Sequence, residues 1–131
     1  MSAETRLAYD DLPAAVRFLT EAFGLTERAD DRLPDEHGGF TATWFELGET
    51  QLMVGRSGDH GLASPRTTGS STAMIIVTVE GIDAHHQRAV DSGARIVTDL
   101  HDVAWGYRRY EAVDCEGHRW HFMEPTGRTG G

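Results

Sequence analysis

"WGYRRYEAVDCEGHRWHFME", residues 105–124, holds two of the three Trp, two of the three Tyr and the only Cys of the chain. Its composition resembles a site, and its pattern is that of a hairpin. "WGYRRYEAV" and "HRWHFME" read as strands, and "DCEG" joins them as a turn. Strand side chains alternate between faces. Trp120 and Phe122 therefore share one face with His118 and Glu124, while Arg119, His121 and Met123 take the other. Two large apolar residues at period two predict a face packed under a helix, which leaves His121 on the opposite side. In the preceding strand Trp105, Tyr107, Arg109 and Glu111 fall together, and Arg108 and Tyr110 together. Which set looks inward stays open, because a bulge at Gly106 resets the alternation.

Upstream, the order of elements occurs twice. "TRLAY" reads as a strand and "DDLPAAVRFLTEAFG" as a helix, with Asp11 as N-cap, Pro13 in the first turn and Gly24 as the stop. Leu12, Ala15, Val16, Leu19 and Phe23 recur at helical spacing. "LTERA", "FTATWFEL" and "QLMVG" follow as three strands, the last two joined by "GET". The second half gives "AMIIVTV" as a strand, "IDAHHQRAVDSG" as a helix ending at Gly93, then "ARIVTDL" and the two strands of the hairpin. One domain over 1–131 is expected, with repeat one at about 4–56, a Gly- and Ser-rich linker at about 57–72 and repeat two at about 73–125. The tail "TGRTGG" is expected to fray. The fold class is α+β: two βαβββ repeats forming cupped mixed β-sheets around a cavity. One such repeat cannot bury both its faces, so the halves pair their sheets or recruit a second chain.

Charge and composition exclude several functions. The net charge is −9 and the pI about 5.1, so nucleic acid is not an expected partner, since phosphate neutralisation needs a basic surface. An acidic surface suits a neutral or cationic small ligand. No run approaches the ~20 apolar residues of a membrane span. "MSAETRLAYDD" lacks the basic start and apolar core of a secretory signal, so a cytoplasmic location is expected. Every Lys/Arg position is Arg, a hint of a GC-rich bacterial genome. Cys115 lies between Asp114 and Glu116, which raise a thiol pKa rather than activate it.

The layout resembles the vicinal oxygen chelate superfamily, which includes glyoxalase I, extradiol dioxygenases, fosfomycin-resistance enzymes and bleomycin-resistance proteins. "DLPAAVRFLTEAFGL" resembles the opening helix of that family. "YEAVDCEGHRWHFME" is similar to its aromatic strand, Asp-Pro-Asp-Gly-Asn turn and closing strand, with Cys115 in place of Pro and His118 in place of Asn. The resemblance implies up to four metal ligands from equivalent strands, which carry over to Glu4, Met53, Met74 and His121. That set is chemically poor. Hard cations want carboxylates or imidazoles, and thioethers suit copper(I), which disfavours Glu. Zinc normally takes three or four protein ligands of better type. No metal and no other cofactor is therefore expected.

What remains is a pocket-like set: Trp44, Glu46, Met53, Met74, Trp105, Tyr107, Arg109 and His121. Aromatic faces and Met side chains make an adaptable apolar surface. "WG" before an aromatic strand is similar to drug-binding bleomycin-resistance proteins, where this region lines the ligand groove. The expected function is binding of an apolar or aromatic small molecule, a cationic one included, by a homodimer and without catalysis: an antibiotic-sequestering role. The alternatives are a metal-dependent glyoxalase-like lyase, isomerase or dioxygenase, and a metal-free enzyme using His121 or Glu46 as base. His85 and His86, adjacent on a polar helix, read as a solvated face. Asp30, Asp31, Asp35 and Glu36 read as a solvated acidic loop.

Overall fold

The computed structural model describes residues 1–127; the last four residues of the expected fraying tail lie outside the described residues. The chain forms β1 (Thr5–Tyr9), α1 (Leu12–Phe23), β2 (Thr26–Glu27), β3 (Leu33–Pro34), β4 (Phe40–Leu47) and β5 (Thr50–Arg56). Then come α2 (Pro65–Thr68), β6 (Met74–Thr78), α3 (Ile82–Asp91), β7 (Arg95–Val103), β8 (Tyr107–Val113) and β9 (Arg119–Pro125). The first sheet runs β1-β5-β4-β2, with β3 also on β4, and the second runs β6-β9-β8-β7. Each sheet orders its principal strands first, fourth, third, second, with the first strand parallel to the fourth and the others antiparallel. These are the two βαβββ units. β3 is an addition to the eight expected strands, and the linker contains the short helix α2.

α1 forms where its caps direct. The Asp11 carboxylate accepts from Ala14 N at 3.1 Å, and Gly24 ends the helix at φ 67°, a left-handed conformation that costs glycine least. Its buried stripe of Leu12, Ala15, Val16, Leu19, Ala22 and Phe23 packs on Leu7, Tyr9, Phe45, Leu52 and Val54 of the first sheet. The same core takes Tyr110, Ala112, Trp120 and Phe122 of the second sheet, together with Ile82 and Ala89 of α3. Phe23 lies 5.4 Å from Trp120 and 4.9 Å from Phe122, ring centre to ring centre. One core thus lies between the halves, and the outer faces of both sheets point away from it.

Two polar clasps lock the halves. In the β8–β9 turn, Asp114 accepts from the backbone N–H groups of Glu116 and His118, from Trp120 Nε1 and from the Tyr9 hydroxyl. The Glu116 carboxylate accepts from Asp10 N, Asp11 N and the Ser64 hydroxyl, and so caps the entry to α1. His118 Nε2 donates to Ala8 O at 2.7 Å. At the other end of α1, Arg88 donates to the carbonyls of Glu21 and Thr20, closing a helix terminus that would otherwise leave them unpaired. Glu124 repeats the capping arrangement on α3, through Gly81 N and Ile82 N.

The solvated reading of His85 and His86 is corrected by this packing. His85 is half-buried between α1 and β8: Nε2 donates to Phe23 O at 2.9 Å, which leaves Nδ1 to accept from the Tyr110 hydroxyl at 2.6 Å. His86 stands edge-on to Tyr110. The helix is polar in sequence because its inward face buys its contacts with hydrogen bonds as well as apolar area. Burial lowers the His85 pKa below its ordinary 6.5, against the opposing pull of the Phe23 carbonyl. Because the native imidazole is held neutral, the unfolded chain binds the proton first as pH falls. Stability from this source is present above about pH 6.5 and declines below it. Urea unfolding from pH 8 to 5 should show a steeper acid-side loss in the wild type than in His85→Gln; parallel profiles would count against it.

Candidate functional site

The parity left open at Gly106 is settled by Tyr110, which is fully buried with Ala112. Tyr107, Arg109 and Glu111 therefore lie on the outer face of the second sheet. There Glu111 sits opposite His121, Arg109 opposite Met123, and Ile76 beside His121. Met74 shares this face, one pleat along β6 from Ile76. The Glu111 carboxylate accepts from Arg109 Nη2 at 2.5 Å and lies 3.3 Å from His121 Nδ1. Among the described residues, Arg109 Nε and His121 Nε2 have no hydrogen-bond partner. Burial and then the Arg109 charge hold the His121 imidazole below the usual histidine pKa, with Glu111 opposing. The nearby carboxylate favours the tautomer with its proton on Nδ1.

On the outer face of the first sheet, Trp44 sits opposite Met53, which also pairs with Arg6, and Glu46 sits opposite Gln51. Phe45, not Trp44, is the core residue of that strand pair. Trp44 Nε1 donates to Glu4 at 3.2 Å, and Arg6 Nη1 contacts the Met53 sulfur at 3.4 Å. The eight residues picked from the sequence thus form two groups. Trp44, Glu46 and Met53 lie on one sheet, and Met74, Tyr107, Arg109 and His121 on the other. Trp105 is 70% exposed in the β7–β8 turn. Within one chain the two groups face away from each other.

The donor set implied by the family does not fit a metal. Two of its four members are thioethers, and the Arg6 guanidinium lies against the Met53 sulfur, where a cation would be repelled. Among the described residues no group of three or more His, Cys, Asp or Glu is placed to hold a metal ion. Desolvation and the charges of Asp114 and Glu116 push the pKa of the Cys115 thiol up to about 12, away from the thiolate. Sequence reading missed Arg6 and Glu111; the only available signal was their period-two spacing from Glu4 and Arg109. Among the described residues no helix is long and apolar enough to cross a membrane.

Residues 3–122 match the Glyoxalase/Bleomycin resistance protein/Dioxygenase superfamily. An uncharacterized protein of Mycobacterium tuberculosis is 32% identical over 130 residues, spanning 92% of this chain and 72% of the relative. The fold is similar to that of TioX from Micromonospora sp. ML1, with a TM-score of 0.77, 32% identity and 95% of each chain covered. It is also similar to a glyoxalase-related enzyme from Fulvimarina pelagi, with a TM-score of 0.71 at 18% identity, covering 95% of this chain and 87% of that one.

Proposed function

The chain belongs to the Glyoxalase/Bleomycin resistance protein/Dioxygenase superfamily, and from that premise we propose that it binds an apolar or aromatic natural product and releases it unchanged. The observation that carries this reading is the chemistry of the two outer faces. They offer Trp44, Met53, Met74 and Tyr107 for stacking and dispersion, while the positions of the family's metal ligands hold two thioethers, one of them against a guanidinium. Sequestration needs affinity and a slow off-rate, not a reaction centre. The separation of the two groups further supports a homodimer in which the first sheet of one chain faces the second sheet of its partner. Free edges at β1 and β6, and exposure of Met74 at 42% and Ile76 at 62%, fit such a partner.

Bleomycin is a direct probe, being both aromatic and cationic; a cation over an aromatic face gains roughly 0.5–2 kcal/mol. Titration followed by Trp fluorescence should saturate, and Trp44→Ala should weaken binding by about 1–3 kcal/mol if Trp44 anchors the ligand. The same holds for Trp105→Ala, with a smaller effect for His121→Ala. Equal affinities across all four proteins would remove the aromatic anchor from the account.

A second reading, a metal-free enzyme, draws support from one observation, the approach of Glu111 to His121. An imidazole with a carboxylate at Nδ1 and, among the described residues, no hydrogen-bond partner at Nε2 has the form of a general base. Turnover lost in His121→Ala but retained on metal-stripped wild type would favour this reading over sequestration.

A further inference from the structure

The outer face of the second sheet carries a polar atom that the chain leaves unanswered. Along β9 the alternation that buries Trp120 and Phe122 turns His121 outward, with Glu111 of β8 on one side and Ile76 of β6 on the other. The polar neighbours are committed to one another. Oε1 of Glu111 accepts from Arg109 Nη2 at 2.5 Å and lies 3.3 Å from His121 Nδ1, and Oε2 accepts from the Thr98 hydroxyl at 3.4 Å. A carboxylate only accepts, so it holds the imidazole proton on Nδ1 and leaves Nε2 a bare acceptor. Burial and the Arg109 charge oppose a second proton on the ring. Nε2 is shut from water, and among the described residues nothing donates to it. A buried acceptor without a donor is costly, so a donor from outside the chain has much to gain there.

The surroundings of His121 on this face are apolar. Met74 and Ile76 of β6 are 42% and 62% exposed, and Met123 lies two positions along β9. Thioether side chains re-pack at little cost, so a ring that settles among them can bring a polar substituent to Nε2. We propose that the molecule held on this face is a hydroxylated aromatic, whose hydroxyl donates to His121 Nε2. The proposal rests on the sequestration reading and narrows its ligand class. A carbonyl or an ether offers only an acceptor, which a bare nitrogen cannot use. An ammonium donates, but it would sit beside the Arg109 guanidinium, where like charges repel. Glu111 acts through His121, as a positioning residue that sets the tautomer.

Two probes of one shape test it on the whole chain: 2-naphthol, and 2-methoxynaphthalene, which keeps the ring and the oxygen but lacks the donor. In calorimetric titrations 2-naphthol should bind about fivefold more tightly or better, the usual worth of a net hydrogen bond. The preference should vanish in His121→Leu, which keeps an apolar side chain of similar reach. The second measurement needs no variant. In the wild type the ring nitrogen resonances of His121 should show the proton on Nδ1, and the Nε2 resonance should move with 2-naphthol and not with 2-methoxynaphthalene. Equal affinities for the two probes, a preference that survives in His121→Leu, or a proton found on Nε2 would overturn the hydroxyl assignment while leaving aromatic binding in place. Failure of both probes to bind would overturn it and count against aromatic sequestration as well.

Discussion

Asp114→Ala is expected to lower the free energy of unfolding by about 3–5 kcal/mol, the range for removing one partner from a buried charged network. The carboxylate accepts four hydrogen bonds, from two turn amides, the Trp120 indole and the Tyr9 hydroxyl. Removing it leaves the Tyr9 hydroxyl and Trp120 Nε1 buried without a partner, and each such orphan costs about 1–3 kcal/mol. Tyr9 belongs to the first half and Trp120 to the second, so the loss falls on the joint between them. Against total stabilities of roughly 5–15 kcal/mol, that loss is a large fraction of the whole. Asp114→Asn keeps the shape and one acceptor oxygen and should lose less. Chemical denaturation measures both; a loss below about 1 kcal/mol in Asp114→Ala would show that the turn is not the joint.

Ile76→Glu should leave the single chain folded and abolish the proposed dimer. Ile76 is 62% exposed on the outer face of the edge strand β6, so the monomer loses little by the change. In the proposed dimer the same position is covered by a partner, and an unpaired carboxylate buried there costs about 3–5 kcal/mol, a factor of more than 100 in the dimer dissociation constant. Sedimentation at micromolar concentration should give a dimer for the wild type and a monomer for the variant, with bleomycin binding lost alongside. A wild-type monomer that binds with full affinity would refute the shared cavity.

The fold was legible because its signals are local. Asp11, the apolar spacing of α1, Gly24 and the period-two pattern of Trp120 and Phe122 all act within a few residues, and the structure places them as read. The parity of β8 was not legible, because it depends on what Tyr110 packs against, and that neighbour arrives from α3. His85 read as part of a solvated face, since polar side chains are exposed by default, and Glu116 and Ser64 carried no pattern that marked them. Glu116, Ser64 and His85 are held by partners 105, 52 and 62 positions away, respectively. The candidate site was half legible. Alternation put His121 on the face opposite Trp120 and Phe122, but alternation cannot say that the outer faces of the two sheets look in opposite directions. That follows from α1 and α3 packing into one core between the sheets.

The most direct test of the central claim is mass spectrometry of ligand recovered after incubation. The protein is mixed with a slight excess of each of a panel of aromatic natural products, bleomycin among them, separated from free ligand, and the bound molecule is extracted. The account predicts one bound ligand per chain with its mass unchanged at every time point. A recovered ligand of altered mass, accumulating beyond one per chain, or no retained ligand from the whole panel, would contradict it.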